Sequence, residues 1–220
     1  MTKKKSKTKQ TKKVYTPCKV TTQKRDWTHK YLTSLGACLD FVEECQKYPD
    51  PQSAWDACQH GGNMLWLLAR VGADHKQLIL CCSAIAAHVL PLFENKYPKD
   101  KRSRKAIEAA YRAVSQPTEE NIEAARDIAG TVVVAACTDV AADFVASVPE
   151  SILSLALRES GNDTLRAAAA AFAVARNAAV ASAFTRTKDL TTALADDTEY
   201  KWQAKCVRRC FPINPFEKEK

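Results

Sequence analysis

Alanine-rich stretches with very little glycine leave this chain one class of fold. Sheet-containing folds turn tightly and often, and they use glycine for those turns. Here 220 residues carry six glycines. Alanine, the strongest helix former, is the dominant residue. The expected fold is therefore all-α: an antiparallel helical bundle or short superhelix of about eight helices. About 190 residues behind a basic tail are enough for one domain with a real core.

The helices follow from apolar spacing and from their breakers. Leu35, Cys38, Leu39, Val42 and Cys45 recur at helical spacing up to Pro49. Asp50-Pro51 opens a short helix through Ala54, Trp55 and Cys58, which Gly61-Gly62 is expected to break. Met64–Val71 is a compact apolar helix ending at Gly72. Asp74 is placed to cap the next helix, about residues 75–95. That helix is apolar nearly all round, so it is expected at the centre, covered by its neighbours. Further helices are expected at about 102–115, from Thr118 to about Ser147, from Pro149 through Arg158, at 163–187 and at about 189–209. The Thr118 helix carries one stripe, Ile122, Ala125, Ala129, Val133, Ala136, Val140 and Phe144. The 163–187 helix presents Leu165, Ala168, Phe172, Ala179 and Ala183, mostly small side chains that admit a close neighbour. Residues 31–211 read as a single all-helical domain and 212–220 as a flexible tail.

The formal charge of +8 is unevenly distributed. Residues 1–30 hold eleven basic side chains and one acidic, Asp26. Residues 31–200 hold 16 basic and 22 acidic, and residues 201–220 hold six and two. The body is acidic, and the basic pI belongs mainly to the first 30 residues. These are Lys, Thr and Gln with hardly any large apolar side chain, so disorder is expected. Lys3, Lys4, Lys5, Lys7, Lys9, Lys12 and Lys13 are candidate contacts to nucleic acid by phosphate neutralisation. The alternative is a solubilising tail. No run approaches the roughly 20 apolar residues of a membrane span; the nearest is Leu78–Phe93. With no apolar run behind the N-terminal lysines, a secretory signal is not expected, and the protein reads as cytoplasmic.

Nine cysteines, an odd number, argue against a disulfide framework. Of the possible metal elements, Cys58-x-His60 and Cys81-Cys82 near His88 lack zinc spacing. Cys206-x3-Cys210 has it, but no second pair is obvious. No metal or other cofactor is expected. No G-x-S-x-G, H-E-x-x-H or P-loop motif is present, and His88 on a buried helix reads as a hydrogen-bonded core histidine. The chain reads as non-enzymatic. One charged cluster stands out. Lys99, Lys101, Arg102, Arg104 and Lys105 sit at a helix start, where the helix dipole disfavours cations. They either grip an acidic partner or pair internally, with Asp100 and Glu108 or with carboxylates of neighbouring helices. Lys201, Lys205, Arg208 and Arg209 lie near a helix C-terminus, where cations are favourable.

Two blocks carry a family resemblance: AWDACQHGGNMLWLLARVG at 54–72 with the apolar helix after it, and DKRSRKAIEAAYRAV at 100–114. The matching positions are Trp55, Cys58, Gly61, Met64, Leu65, Trp66, Leu67, Asp100, Arg102, Arg104, Ala106, Ile107 and Glu108. Over roughly residues 35–185 the chain resembles the fifth numbered, all-helical family of immunity proteins of bacterial polymorphic toxin systems, also found in phages. It departs from the family pattern where G-D-W becomes Gly61-Gly62-Asn63 and where D-R-P-R becomes D-K-R-S-R, with Ser103 in the proline position. The resemblance implies a protein that neutralises a toxin or effector by direct binding. Candidate partner contacts drawn from the two blocks are Asp56, Trp66, Asp100, Arg102, Arg104 and Glu108. A phage accessory protein that binds nucleic acid through its tail, and a virion-associated structural protein, are the alternatives.

Overall fold

Local hydrogen bonding sets most of the helix boundaries. The structure, a computed structural model, describes residues 29–132, 151–152, 164–188 and 197–216. All regular structure among the described residues is helical. The helices are α1 (His29–Ser34), α2 (Leu39–Gln46), α3 (Pro51–Ala57), α4 (Gly61–Arg70), α5 (His75–Lys96), α6 (Arg102–Ser115), α7 (Glu119–Val132), α8 (Thr164–Thr187) and α9 (Thr198–Cys210). Three helix starts anticipated from the sequence are closed by side chains, of which Asp74 was anticipated as a cap. Asp50 accepts from the Ser53 amide at 2.9 Å, Asp74 from Gln77 at 2.7 Å and Thr118 from Asn121 at 3.2 Å. Each satisfies an amide that the first helical turn leaves without a partner.

The expected boundaries shift at three places. Gly36 adopts a positive φ of 84° between α1 and α2, so the helix expected from Leu35 begins only at Leu39. Gly61-Gly62 does not break a helix; it starts α4. The break is at Cys58–His60, where His60 Nδ1 accepts from the Asn63 amide at 3.1 Å. The last helix begins at Thr198, while residues 189–196 lie outside the described residues. So do residues 1–28 with the seven lysines proposed as nucleic-acid contacts, and residues 133–150, 153–163 and 217–220. The second half of the expected Thr118 helix and most of the expected 149–158 helix fall there; Ser151 and Ile152 are helical.

α5 touches α4, α6, α8 and α9, and α6 in turn carries α7. α8 packs along α4 with Val174, Ala178, Ala181 and Ala183 completely buried, and these small side chains permit close approach. α9 crosses α4, α5 and α8. By length and composition α5 could cross a membrane, with a mean hydropathy of 1.6 over its best window, contrary to the shorter run anticipated. Over half of that window is buried by neighbouring helices, as in the core helix of a bundle.

The residues after α9 are docked, at least to Phe216, where a flexible tail was anticipated from Pro212 on. Trp55 Nε1 donates to the Phe211 carbonyl at 3.0 Å, and Asn214, 1% exposed, donates to Gln52 Oε1 at 2.9 Å. Phe216 packs edge-on against Tyr31. Arg208 reaches back to the carbonyls of Trp55 and Cys58. Two elements, α1 and α3, thus hold the segment down by contacts remote in sequence.

Candidate functional site: a groove between α5 and α6

α5 is not covered all round. Its buried residues Leu78, Ile79, Cys81, Cys82, Ile85, Ala86, Val89, Leu90 and Phe93 follow helical periodicity and form the core side. Ala84, Ala87 and Pro91 on the remaining strip are exposed, with Leu80 half-buried. The strip borders a groove of about 440 Å³. α5 contributes Leu80, Ser83, Ala84 and Ala87; α6 contributes Ile107, Glu108, Tyr111 and Arg112. Tyr111 is 52% exposed, a large ring left standing at the edge. Ser83 is buried, and its hydroxyl has no hydrogen-bond partner. An orphaned buried hydroxyl is costly, and this one is closed off beneath the groove. The groove therefore combines an apolar floor with a rim carrying both charge signs.

The charged cluster lies at the end of the same helix pair. Arg102 chelates Asp100 through Nε and Nη2, at 3.0 and 2.6 Å, and its amide also donates to Asp100. Arg104 forms a two-pronged pair with Glu94 of α5, its Nε donating at 2.7 Å. Lys101 adds a second cation at 3.3 Å from the same carboxylate. Hydrogen bonds from Arg104 and Lys101 hold the Glu94 carboxyl down at about 2, and Arg102 lowers that of Asp100. Of the two readings of the cluster, internal pairing describes Arg102 and Arg104, although both remain about half-exposed. The unfavourable cations at the α6 start are neutralised by carboxylates just ahead of it.

Of the other anticipated contacts, Glu108 lines the groove. Asp56 is exposed on α3 and accepts from Gln52 at 2.9 Å. Trp66 is half-buried on α4 and packs edge-on against Phe41. The structure thus brings Asp100, Arg102, Arg104 and Glu108 to the α5–α6 pair and leaves Asp56 and Trp66 elsewhere. Ser83, Tyr111 and Arg112 were not anticipated. Tyr111, one turn beyond Ile107 in a helix of small buried residues, was the visible signal.

His60 and His88 serve structural ends. His60 caps α4 and stacks on Tyr200, and burial pushes its imidazole down. His88 is not a core histidine: its side chain is 42% exposed, stacks on Trp202 with ring centroids 3.7 Å apart, and lies 3.6 Å from Glu199. Glu199 is 3% exposed, and burial raises its carboxyl despite hydrogen bonds with Ser182 and Gln203. Among the described residues, no three His, Cys, Asp or Glu side chains converge as a metal site would require.

Fold and groove together define an all-helical protein whose central helix pair leaves an apolar cleft open. Residues 71–148 match the family model described as Imm-5 like putative immunity protein. That segment contains α5, α6 and α7, hence both walls of the groove, and it supports the resemblance carried by residues 100–114. All but the last two residues of the 54–72 block precede it. No curated protein and no solved structure matches the chain.

Proposed function

We propose that this is a non-enzymatic, immunity-like protein of the cytoplasm that neutralises a protein toxin or effector by stoichiometric binding, using the α5–α6 groove as its docking surface. The observation that carries this reading is the open groove within the segment matching the immunity family. An exposed tyrosine beside an apolar cleft is the arrangement found at interface hot spots. Ala84 and Ala87 are small enough to let a partner's apolar side chain reach the floor. Glu108 and Arg112 at the rim fix the orientation of a partner carrying charges of both signs. The acidic body, with 16 basic and 22 acidic side chains over residues 31–200, favours approach of a basic partner.

The test is co-purification with the product of a neighbouring toxin gene, followed by titration. Tyr111→Ala weakens binding about thirtyfold or more, the loss of about 2 kcal/mol expected at a hot spot. Ala87→Arg, which plugs the cleft without touching the core, abolishes it. A toxin that binds both variants as tightly as the wild type refutes the groove. The absence of any toxin partner refutes the function.

The basic segment supports a second, separable activity, nonspecific nucleic-acid binding. It predicts an affinity that falls steeply with salt and disappears on deletion of residues 1–25. Unchanged binding by the truncated protein rejects it.

A further inference from the structure

Four cysteines distant in sequence gather where α9 crosses α5. Cys81 and Cys82 are fully buried on α5, while Cys206 and Cys210 sit half-buried one turn apart on α9. The thiol of Cys81 hydrogen-bonds to the sulfur of Cys210. Gln77, one turn before Cys81 on the same face of α5, donates from Nε2 to the Cys210 carbonyl. The Cys210 backbone is therefore clamped to the face that carries Cys81, with the two sulfurs in contact. The other pairings are poorer. Cys81 and Cys82 are adjacent in a helix and point about 100° apart. The hydrogen bond to Cys210 and burial raise the Cys81 thiol, and burial raises those of Cys82 and Cys206, which leaves Cys210 as the one of the four suited to attack first.

We propose that Cys81 and Cys210 are an oxidisable pair that closes a reversible disulfide between α5 and α9 when the protein meets a peroxide. Cys210 is the attacking sulfur, since it is the more exposed of the two. The proton donated by Cys81 holds the Cys210 thiol at about 7. Its thiolate attacks one peroxide oxygen, the O–O bond breaks, and hydroxide leaves as Cys210 becomes a sulfenic acid. The Cys81 sulfur then attacks the Cys210 sulfur. The S–O bond breaks, and the Cys81 proton leaves with the hydroxyl as water. Two thiols lose two electrons, and one hydrogen peroxide becomes two waters. The bond ties α9, and the docked segment behind it, to the central helix.

The experiment treats the reduced full-length chain with hydrogen peroxide, blocks the remaining thiols, and maps linked peptides by mass spectrometry. The expected result is one Cys81–Cys210 crosslink with loss of two hydrogens, absent in Cys81→Ser and in Cys210→Ser. Without oxidant, Cys210 alkylates at pH 7 about three- to sixfold faster than an ordinary exposed thiol. That figure balances its larger thiolate fraction against its lower intrinsic nucleophilicity. Cys81→Ala removes the advantage. A Cys206–Cys210 crosslink overturns the proposal, as does a Cys210 that oxidises without linking or whose rate is indifferent to Cys81→Ala. Should substitution at the buried Cys81 unfold the chain, the wild-type map and the half-exposed Cys210→Ser variant still decide.

Discussion

Gly61 gives the sharpest test of how the helices pack, because the prediction runs against helix propensity. Gly61 opens α4, where alanine is the better helix former by up to about 1 kcal/mol. Propensity alone makes Gly61→Ala stabilising. The packing says otherwise. A Cβ at Gly61 collides with Gln203 Cβ and comes within 2.8 Å of the Ala204 nitrogen and 2.9 Å of the Gln203 carbonyl carbon. Two of these three atoms are backbone and cannot rotate away, so α4 and α9 must separate. Overpacking by one methyl costs about 1–3 kcal/mol, and immovable neighbours place this case toward the upper end. Net of the propensity gain, the expected loss is about 1–2 kcal/mol. For a chain of this size that lowers the melting temperature by about 2–8 °C. Thermal and urea unfolding followed by circular dichroism measure it, and an unchanged urea slope shows that the native state alone was affected. Gly36→Ala is the control. Nothing lies within 4 Å of its added Cβ, so its cost comes solely from the positive φ of 84°. A Gly61→Ala protein that melts at or above the wild-type temperature refutes the close approach of α4 and α9.

Two carboxylates predict opposite responses to pH. Glu94 is lowered from the usual carboxylate value of 4.5 to about 2. Its contribution is complete above about pH 4.5 and is lost as pH falls toward 2. Glu94→Gln should therefore cost about 0.5–1 kcal/mol at neutral pH, typical of a half-exposed ion pair, and nothing at pH 2; a constant deficit counts against the pairing. Glu199 is raised by burial. Its folded form favours the proton, so its contribution is greatest below the usual carboxylate value and fades as pH climbs through its raised one. Glu199→Gln keeps an acceptor without a buried charge and should melt higher than the wild type at pH 7 but not at pH 4. A lower melting temperature at pH 7 would show that the charge is welcome there.

The candidate site was only partly legible. Glu108 was visible in a motif, and the basic run at 99–105 was visible as an electrostatic anomaly. The carboxylate that resolves the anomaly for Arg104 is Glu94, ten residues back on another helix. Ser83, Ala84 and Ala87 looked like any other residues of an apolar helix. Nothing in their identity says which of α5's faces a neighbour leaves uncovered. Similarly, the spacing of Cys206 and Cys210 could be read, but not that Cys81 meets them.

The sequence by itself determined the all-α class, the N-termini of α3, α5 and α7, and the near-complete span of α5 and α6. These depend on propensity, capping and the 3.6-residue period, interactions within about four residues along the chain. Only the tertiary structure decided that position 61 has no room for a Cβ, since the atoms it would strike lie on α9, about 140 residues away. It also decided that the central helix keeps an open strip, that Trp55 holds the C-terminal segment, and that two thiols touch. Each of these is set by the crossing of helices, where burial depends on which surfaces happen to face each other and not on neighbours in sequence.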